Sequence, residues 1–230
     1  MTEFSLPAGT RMPAEHRWPM VMSHGHMVLR SMDKRDARSY EQVRAINLPW
    51  TCQWDATLPP GAGAREHFSY TQWIKQVRRQ AKDLEALSFA IGWVDDPGVD
   101  DHEMARCQII GQLSVSSIMM GSARSASIGY WVGQRWAGRG IAPAAVALTI
   151  DYLFQVVGLH RVEICIRPEN APSLRVVDKL GIRAEGLRER YLHINGEWRD
   201  HECFAVCCEE FPRGLLTRFL ERNTLVDLVH

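Results

Sequence analysis

The sequence carries no excess of charge of either sign. Its 230 residues include 27 Lys and Arg and 27 Asp and Glu, so the formal net charge at pH 7 is zero. No long run of one sign occurs, and such a run is what lets a protein follow a phosphate backbone without reading its sequence. We therefore expect no direct nucleic-acid partner.

Long apolar segments are missing as well. The longest, residues 141–150, is interrupted by Pro143, and residues 1–18 contain no apolar stretch of the kind that a secretory signal requires. The proportions of 46% hydrophobic and 23% charged residues are typical of a globular protein with one core. We expect a soluble, cytoplasmic protein without a membrane partner.

The six cysteines follow no ligand spacing. They are scattered along the chain, and only Cys207 and Cys208 are close in sequence. A closed tetrahedral zinc site is usually built from pairs of Cys-x-x-Cys units, and this sequence has none. We predict reduced, buried thiols, no disulfide framework and no metal site.

Hydrophobic periodicity predicts strands and helices that alternate within a single domain. Residues 1–24 are expected to form an irregular N-terminal arm, residues 25–210 the domain, and residues 211–230 a C-terminal helical extension. The predicted strands cover residues 27–32, 87–93, 108–118, 126–132, 160–166, 183–193 and 197–209, and the predicted helices cover 34–46 (after an N-cap at Asp33), 66–82, 139–157 and 171–180.

A long segment interrupts this alternation at residues 47–64, where proline and glycine recur around Trp50 and Trp54. Long segments of this kind inside a compact domain are often functional. Two interpretations stay open: the two tryptophans pin the segment to the core, or the segment is a lid over a substrate.

The helix predicted over residues 139–157 carries one charged residue, Asp151, after Arg139. A helix with so few polar positions must be buried on most of its surface, as it would be when packed on a sheet. It connects two predicted strands, 126–132 and 160–166. We expect these strands to run parallel through a right-handed crossover.

A glycine-rich turn, Gly133-Gln134-Arg135-Trp136-Ala137-Gly138-Arg139-Gly140, precedes that helix. Glycine lets a backbone come close to a ligand, and the free N–H groups and the dipole of a helix N-terminus attract an anion. The turn fits a pyrophosphate, although ordinary tight turns produce the same glycine spacing.

The order of the motifs resembles that of the GNAT superfamily of N-acetyltransferases. Arg135-Trp136-Ala137-Gly138-Arg139-Gly140 is similar to the acyl-CoA signature Gln/Arg-x-x-Gly-x-Gly/Ala. Asn170-Ala171-Pro172-Ser173 resembles the family's Asn-x-x-Ser, and the helix after it ends in Leu180-Gly181, as the family's helix ends in Leu-Gly-Phe. Ile182 stands where the family usually has that aromatic residue.

Three further segments resemble one branch of the superfamily, that of the ribosomal-protein-alanine N-acetyltransferases of the RimJ/RimL type. These segments are Tyr130-Trp131-Val132, at the end of a strand, Glu185-Gly186-Leu187-Arg188, and Gly196-Glu197-Trp198-Arg199-Asp200-His201, in the predicted hairpin. Residues 1–24 and 211–230 have no counterpart in the resemblance.

The resemblance implies an α+β (α/β three-layer) fold. Its central sheet would be mixed and mostly antiparallel, with about seven strands, helices on both faces, and a parallel, splayed pair formed by the fourth and fifth strands. It also implies acetyl-CoA as co-substrate and no metal. Trp131 and Val132 would pair by their backbones with the pantetheine arm, and the N–H groups of residues 136–142 would receive the pyrophosphate. The implied cofactor-binding residues are Trp131, Val132, Arg135, Trp136, Ala137, Gly138, Arg139, Gly140, Ile141, Ala142, Asn170 and Ser173.

The resemblance further implies catalytic roles for the Asn-x-x-Ser motif. Asn170 would hold the cofactor or the substrate amide. Ser173 would donate to the leaving thiolate, and its alternative role is that of a second capping group for the helix. Arg175 and Lys179 share one helix face, and they either reach a CoA phosphate or stay solvated.

Transfer to an amine also needs a base of modest strength, because an α-amino group has a pKa of about 8. Glu163 is our candidate; it shares a strand face with Cys165 and points either into the cleft or toward the outer surface. None of the remaining candidates has a decisive spacing: these are Glu189, Tyr191, His193 and His201.

Three functions stay open. The branch resemblance implies a protein N-terminal α-amino group as the acceptor, such as that of a ribosomal protein with alanine or serine at its terminus. The alternatives are a small amine (a polyamine, an amino acid or a drug) and a CoA-binding module without catalysis. Several carboxylates in the cleft would mark a polyamine acceptor. The sequence leaves open whether the chain is a monomer or a homodimer.

Overall fold

One sheet of nine strands organises the computed structural model, which describes residues 4–62 and 69–227. The strands are β1 Thr10–Arg11, β2 Val21–His24, β3 Met27–Ser31, β4 Leu87–Trp93, β5 Gln108–Met119, β6 Ser125–Val132, β7 Arg161–Ile166, β8 Arg183–Ile194 and β9 Glu197–Cys207. Their order is β1-β2-β3-β4-β5-β6-β7-β9-β8. Within the described ranges, neighbouring strands are antiparallel except β6 and β7, which run parallel.

Helices cover both faces of the sheet. They are α1 Ala37–Thr51, α2 Tyr70–Lys82, α3 Asp101–Met104, α4 Ile141–Tyr152, α5 Ala171–Leu180 and α6 Leu215–Asp227. α4, α5 and α6 pack on the face that holds the main core, while α1 and α2 pack on the other face through Tyr40, Tyr70, Trp73 and Ile74. No helix in the described part of the chain combines the length and the apolar character that crossing a membrane requires.

The predicted fold class is confirmed, but the sheet has nine strands rather than about seven. The two additional strands, β1 and β2, arise from residues 1–24, where the sequence predicts an irregular arm. β2 pairs with β3 along its whole length, and Met22 on β2 is fully buried. A strand of four residues is too short to show a period, so the sequence pattern hides it. The boundaries of arm, domain and extension stay a prediction.

α1 continues past its predicted end and takes in the first residues of the predicted long loop, up to Thr51. Pro49 lies inside the helix, where it cannot donate a backbone hydrogen bond. Side chains reinforce these turns: Asn47 Nδ2 donates to the carbonyl of Val43 (2.9 Å), and Thr51 Oγ1 donates to that of Asn47 (3.2 Å). Trp50 therefore lies on a helix.

The N-terminus of α2 is capped by Ser69, whose hydroxyl accepts from the backbone N–H of Gln72 at 3.3 Å. The helix thus begins at Tyr70. Residues 66–68 of the predicted helix, and residues 63 and 64 of the predicted loop, lie outside the described residues.

The predicted strand–helix–strand crossover is confirmed as β6, α4 and β7. α4 is buried on all sides from Pro143 onward, and a single π-helical turn over residues 153–157 extends it. The predicted C-terminal helical extension contains α6, and residues 228–230 lie outside the described residues.

A buried ion pair fixes the start of α1 against the sheet. Arg30 on β3 donates through two nitrogens to the carboxylate of Asp36, at 2.7 and 2.8 Å. Asp36 also accepts from the backbone N–H of Asp33, the predicted N-cap, which here caps the turn leading into α1. The Arg30 side chain is 4% exposed. Because a buried charge without its partner is costly, the position of α1 depends on this pair.

Replacing Asp36 by alanine is expected to lower the free energy of unfolding by about 3–5 kcal/mol, since the buried Arg30 would lose the carboxylate that balances its charge. The control is Glu221→Ala, which removes the partner of Arg213 in an exposed ion pair and is expected to cost at most about 1 kcal/mol. Urea denaturation of both variants measures the difference. Equal losses would contradict the role of the buried pair.

α6 is attached to α4 through one carboxylate. Asp151 accepts hydrogen bonds from the backbone N–H groups of Leu215 (2.6 Å) and Leu216 (3.0 Å), at the start of α6. Burial raises the pKa of Asp151 to about 6, although both hydrogen bonds act in the opposite direction. The only charged residue of α4 therefore holds the C-terminal helix to the domain.

The raised pKa makes the contribution of Asp151 to stability fall as the pH rises. An unfolded Asp carboxyl titrates at about 3.9, so between that pH and the folded value of about 6 the folded state binds more protons. The free energy of unfolding of the wild type, minus that of Asp151→Asn, is expected to fall by about 2 kcal/mol from about pH 4 to about pH 7. Denaturation of both proteins at each pH measures it; a difference independent of pH would contradict the shift.

Candidate active site

β6 and β7 pair over three residues and then separate. The parallel ladder joins residues 125–127 to residues 161–163 and ends there. Beyond it, β6 stays paired with β5 as far as Val132, and β7 stays paired with β9 as far as Ile166. The gap between the two strands opens into a cavity of about 630 Å³. A ligand in this cavity can meet backbone groups on the unpaired strand edges.

The cavity has two walls, and we name each wall after the elements that build it. The α4–α5 wall contains Tyr130, Trp136, Gly138, Gly140, Asn170 and Ser173. The α1–hairpin wall, where the hairpin is β8 and β9, contains Arg44, Trp50, Trp54, Asp55, Leu192 and His201.

Residues 133–140 form the turn between β6 and α4. Backbone N–H groups near the end of this turn have no hydrogen-bond acceptor among the described residues. Gly138 and Gly140 adopt φ values of 81° and 77°, which other residues disfavour. A Cβ at either position would meet no protein atom within 4 Å, so both glycines face open space. None of the N–H groups of residues 138–142 donates to another residue in the described ranges. With the dipole of α4, these groups can hold an anion.

The start of this turn is held in position by α1 and β5. Asn47 Oδ1 accepts from the backbone N–H of Gln134 at 2.8 Å, and the N–H of Gly133 donates to the carbonyl of Ile110 at 2.8 Å. A Cβ on Gly133 would lie 3.1 Å from the side-chain nitrogen of Asn47. Glycine at position 133 therefore permits the close approach of α1 to the turn.

The ring of Trp136 contacts two arginines and a second tryptophan. The guanidinium carbons of Arg135 and Arg139 lie 5.6 and 5.1 Å from its centroid, and the ring of Trp93 lies 5.3 Å away. Trp136 and Ala137 line the cavity, whereas Arg135 and Arg139 do not. The side chains of Arg135 and Arg139, both predicted to bind the cofactor, thus contact the ring of Trp136.

The N-terminus of α5 brings Asn170 and Ser173 to the cavity. Asn170 is the cap: its Oδ1 accepts from the backbone N–H of Ser173 at 3.2 Å. The Ser173 hydroxyl makes no hydrogen bond to any other described residue, so it is not a second cap. Tyr130, which is not among the predicted site residues, donates from its hydroxyl to the Ser173 carbonyl at 3.4 Å. Burial raises the pKa of Tyr130.

Glu163 lies on β7 outside the lining of the cavity. Its carboxylate accepts from Arg161 at 2.9 Å and from Arg188 at 3.0 Å. Burial acts to raise the pKa of Glu163, but the two arginines outweigh it and hold that pKa below its usual range. A carboxylate held in two ion pairs is a weak base. The sequence leaves open whether Glu163 points into the cleft or toward the outer surface, and the structure supports a position outside the cleft.

The two tryptophans of the predicted loop are both pinned and part of the α1–hairpin wall. Trp50 Nε1 donates to the carbonyl of Val132 at 3.2 Å, and the guanidinium of Arg167 lies 5.3 Å from the centroid of Trp54. Both rings line the cavity. The contacts support the first interpretation, that the tryptophans pin the segment, and a lid over a substrate stays a prediction.

The charged residues of the cavity are mostly basic. Arg44 pairs with Asp55 at 2.7 Å, and its guanidinium lies 5.0 Å from the ring centroid of Trp131. Among the described lining residues, Asp55 is the one carboxylate, and the basic residues are Arg44, Arg167, Arg175 and Lys179. Sequence reasoning missed Arg44 and Asp55, because they reach Trp131 and the cavity only through tertiary packing.

The two histidines of the hairpin differ in their contacts and in their access to the cavity. His193 pins the segment after α1: its Nδ1 lies 2.8 Å from Thr57 Oγ1, and it does not line the cavity. Glu189 and Tyr191 do not line it either, whereas His201 does.

The six cysteines are free, as predicted, but only Cys107 and Cys203 are buried. Cys165 and Cys203 are directly opposed on β7 and β9, and their sulfur atoms lie 2.8 Å apart. Cys165 also lines the cavity.

Three side chains of kinds that can bind a metal ion lie together away from the cavity. The ligand atoms of His160, Cys207 and Glu209 are within 4.8 Å of one another. His160 pairs with Glu209 at 3.0 Å, and Arg183 approaches the sulfur of Cys207 at 3.9 Å. An arginine beside the thiol opposes a cation there, and we assign no metal to this group.

Known proteins share this architecture. RimJ from Mycobacterium smegmatis, solved in complex with CoA-disulfide, is 32% identical with a TM-score of 0.76, over 90% of this chain and 96% of that chain. Probable N-acetyltransferase YjcK from Bacillus subtilis is 38% identical over 99 residues, or 43% of this chain and 55% of the relative. The [ribosomal protein uS5]-alanine N-acetyltransferase of Escherichia coli is 33% identical over 107 residues, or 46% of this chain and 55% of the relative.

The chain thus spans 55% of the length of these two curated relatives. A family model described as an acetyltransferase (GNAT) domain matches residues 26–183, a range that runs from β3 through α5 and includes the separated strands and the glycine turn. The chain belongs to the acetyltransferase (GNAT) domain family.

Proposed function

We propose that this chain is an acetyl-CoA-dependent N-acetyltransferase. The observation that carries the proposal is the set of free N–H groups at residues 138–142, beside a cavity between two separated strands. A related protein of the same fold, RimJ of M. smegmatis, was solved with a CoA compound. Acetyl-CoA would supply the acetyl group as a reactive thioester.

The cofactor would lie along the α4–α5 wall. The N–H groups of Trp136 and Ala137 already donate within the turn, so residues 138–142 are the better donors to a pyrophosphate. Trp131 and Val132 would offer the pantetheine arm the edge of β6 that β7 leaves unpaired. Arg175 and Lys179 line the same cavity and would add positive charge near the phosphates.

Ser173 and Asn170 are proposed to act at the reacting end of the cofactor. The Ser173 hydroxyl makes no hydrogen bond to a described residue, so it can donate to the leaving sulfur. Asn170 uses only Oδ1 for capping, and its amide nitrogen can donate to an acyl or amide oxygen.

The charge of the cavity favours a neutral or anionic acceptor over a polyamine. Asp55, the one lining carboxylate in the described residues, is already paired with Arg44. A polyamine needs several carboxylates to replace the water around its ammonium groups, and Arg167, on the acceptor side of the cavity, would repel it. We propose a protein N-terminal α-amino group, such as that of a ribosomal protein, as the acceptor. The E. coli relative is named for an alanine of ribosomal protein uS5.

A free amino acid is the second candidate, and the same basic residues favour it. An α-carboxylate next to the amine could pair with Arg167 or Arg44 on the α1–hairpin wall. A further relative, from E. coli, is an L-amino acid N-acetyltransferase that is 30% identical over 111 residues.

Acetylation assays with matched acceptors test the proposed acceptor. The protein is mixed with acetyl-CoA and with peptides that differ only in their first residue, with free amino acids, or with spermidine; product mass and free thiol are measured. We expect acetylated peptides that begin with alanine or serine, and no spermidine product because of the basic lining.

Acetylation of spermidine alone would overturn the protein acceptor, and acetylation of amino acids alone would favour the second candidate. Binding of CoA without transfer to any amine would identify a module without catalysis.

Substitution of the turn glycines tests the cofactor site. Gly140→Val is expected to weaken CoA binding at least about tenfold, because it forces a β-branched residue to a positive φ and fills space in front of the free N–H groups. Gly121→Val is the matched control: Gly121 has a φ of 71° and also faces open space, but it lies in the β5–β6 turn away from the cavity. Isothermal titration calorimetry measures both affinities, and equal affinities would remove the turn from the site.

A further inference from the structure

Transfer to an α-amine requires that a proton leave the nitrogen. With a pKa of about 8, such an amine is largely protonated at neutral pH, and a nearby base therefore speeds the reaction. Glu163 is held by two arginines outside the cavity lining, and His193 is engaged with Thr57. The base must be found among the groups that line the cavity.

His201 lies on β9 in the α1–hairpin wall. It is 3% exposed, yet it lines the cavity. Residues 201 and 203 share one face of β9, and Cys203 is opposite Cys165, which also lines the cavity. His201 is thus on the strand face that carries Cys165 and is open to the space beyond the β6–β7 ladder.

The hydrogen bond of the ring fixes where its proton sits. Nδ1 of His201 lies 3.0 Å from the carbonyl oxygen of Arg199, and a carbonyl can only accept, so Nδ1 carries hydrogen. In the neutral ring Nε2 then keeps its lone pair. No described residue forms a hydrogen bond with Nε2, and this nitrogen remains available to a ligand.

The surroundings keep the ring neutral at physiological pH. Burial is the largest effect and lowers the pKa of His201, and Arg167 acts in the same direction. The bond to Arg199 and the carboxylates of Asp200 and Glu169 act to raise it but do not compensate. On β8, the charged residue Arg188 lies opposite His201 in the ladder, and Tyr191 packs its ring edge-on against the histidine, with centroids 5.6 Å apart.

We propose that Nε2 of His201 accepts the proton of the attacking amine, an assignment that rests on the acetyltransferase function proposed above. The neutral fraction of the amine is the nucleophile: as its nitrogen forms a bond to the acetyl carbon, one N–H bond breaks and that proton passes to Nε2. The carbon–sulfur bond breaks with its electron pair left on sulfur, which takes the proton of the Ser173 hydroxyl and leaves as the thiol, while the serine takes a proton back from water. His201 then returns its proton to water.

His201→Gln is the decisive variant, because glutamine can still donate to the Arg199 carbonyl but cannot accept a proton. We expect kcat to fall about 100-fold with CoA affinity within about twofold of the wild type. The wild-type profile of kcat/KM against pH should contain an inflection below about pH 6.5, the ordinary pKa of histidine, and the variant should lack it. Added imidazole should partly restore His201→Ala.

His193→Gln is the matched control, since it alters a buried histidine of the same hairpin that does not line the cavity. It should change kcat by less than about twofold; thermal melting of both variants reports on folding. An active His201→Gln variant with the wild-type pH profile would overturn the proposal alone, while a wild type that acetylates no amine would overturn the proposed function as well.

Side-chain NMR of the wild type gives a test without substitution: an Nε2–H tautomer of His201 at neutral pH would also overturn the proposal.

Discussion

The separation of β6 from β7 is the constraint on which the rest of the site depends. A sheet gains stability from each backbone pair, so a gap in its middle leaves unpaired groups that must find other partners. β5 and β9 hold the outer edges of the two strands along the gap, which keeps both in position. The inner edges stay available to an extended ligand. Sheet continuity and ligand binding therefore compete for the same backbone groups.

The chain builds the two walls of the cavity in different ways. The α4–α5 wall follows directly from the ends of β6 and β7, in the turn 133–140 and in residues 170–173. The α1–hairpin wall brings together Arg44 and His201, which are far apart in sequence. The proposed donor site thus resides in short motifs, while the shape and charge of the α1–hairpin wall depend on tertiary packing.

This difference explains what the sequence can predict. Periodicity is local, so the crossover through α4 follows from the sequence pattern, and the fold class follows from the resemblance that the order of the short motifs carries. The face on which Glu163 points depends on the phase of its strand and on its arginine partners, which no spacing reveals. Nor does spacing tell His193 from His201, because only their hydrogen-bond partners and their exposure to the cavity separate them. β2 is too short to give a periodic signal.

α1 joins the two walls mechanically. Asn47 accepts a hydrogen bond from the glycine turn, and Trp50 donates to the end of β6. Arg44, one helical turn before Asn47, lines the cavity. A ligand that displaces the turn must therefore act on the wall that carries Arg44. If donor binding changes the affinity for the acceptor by some factor, thermodynamic linkage requires the acceptor to change the affinity for the donor by the same factor. Under the proposed function, α1 is the element that contacts both the donor side and the acceptor side of the cavity.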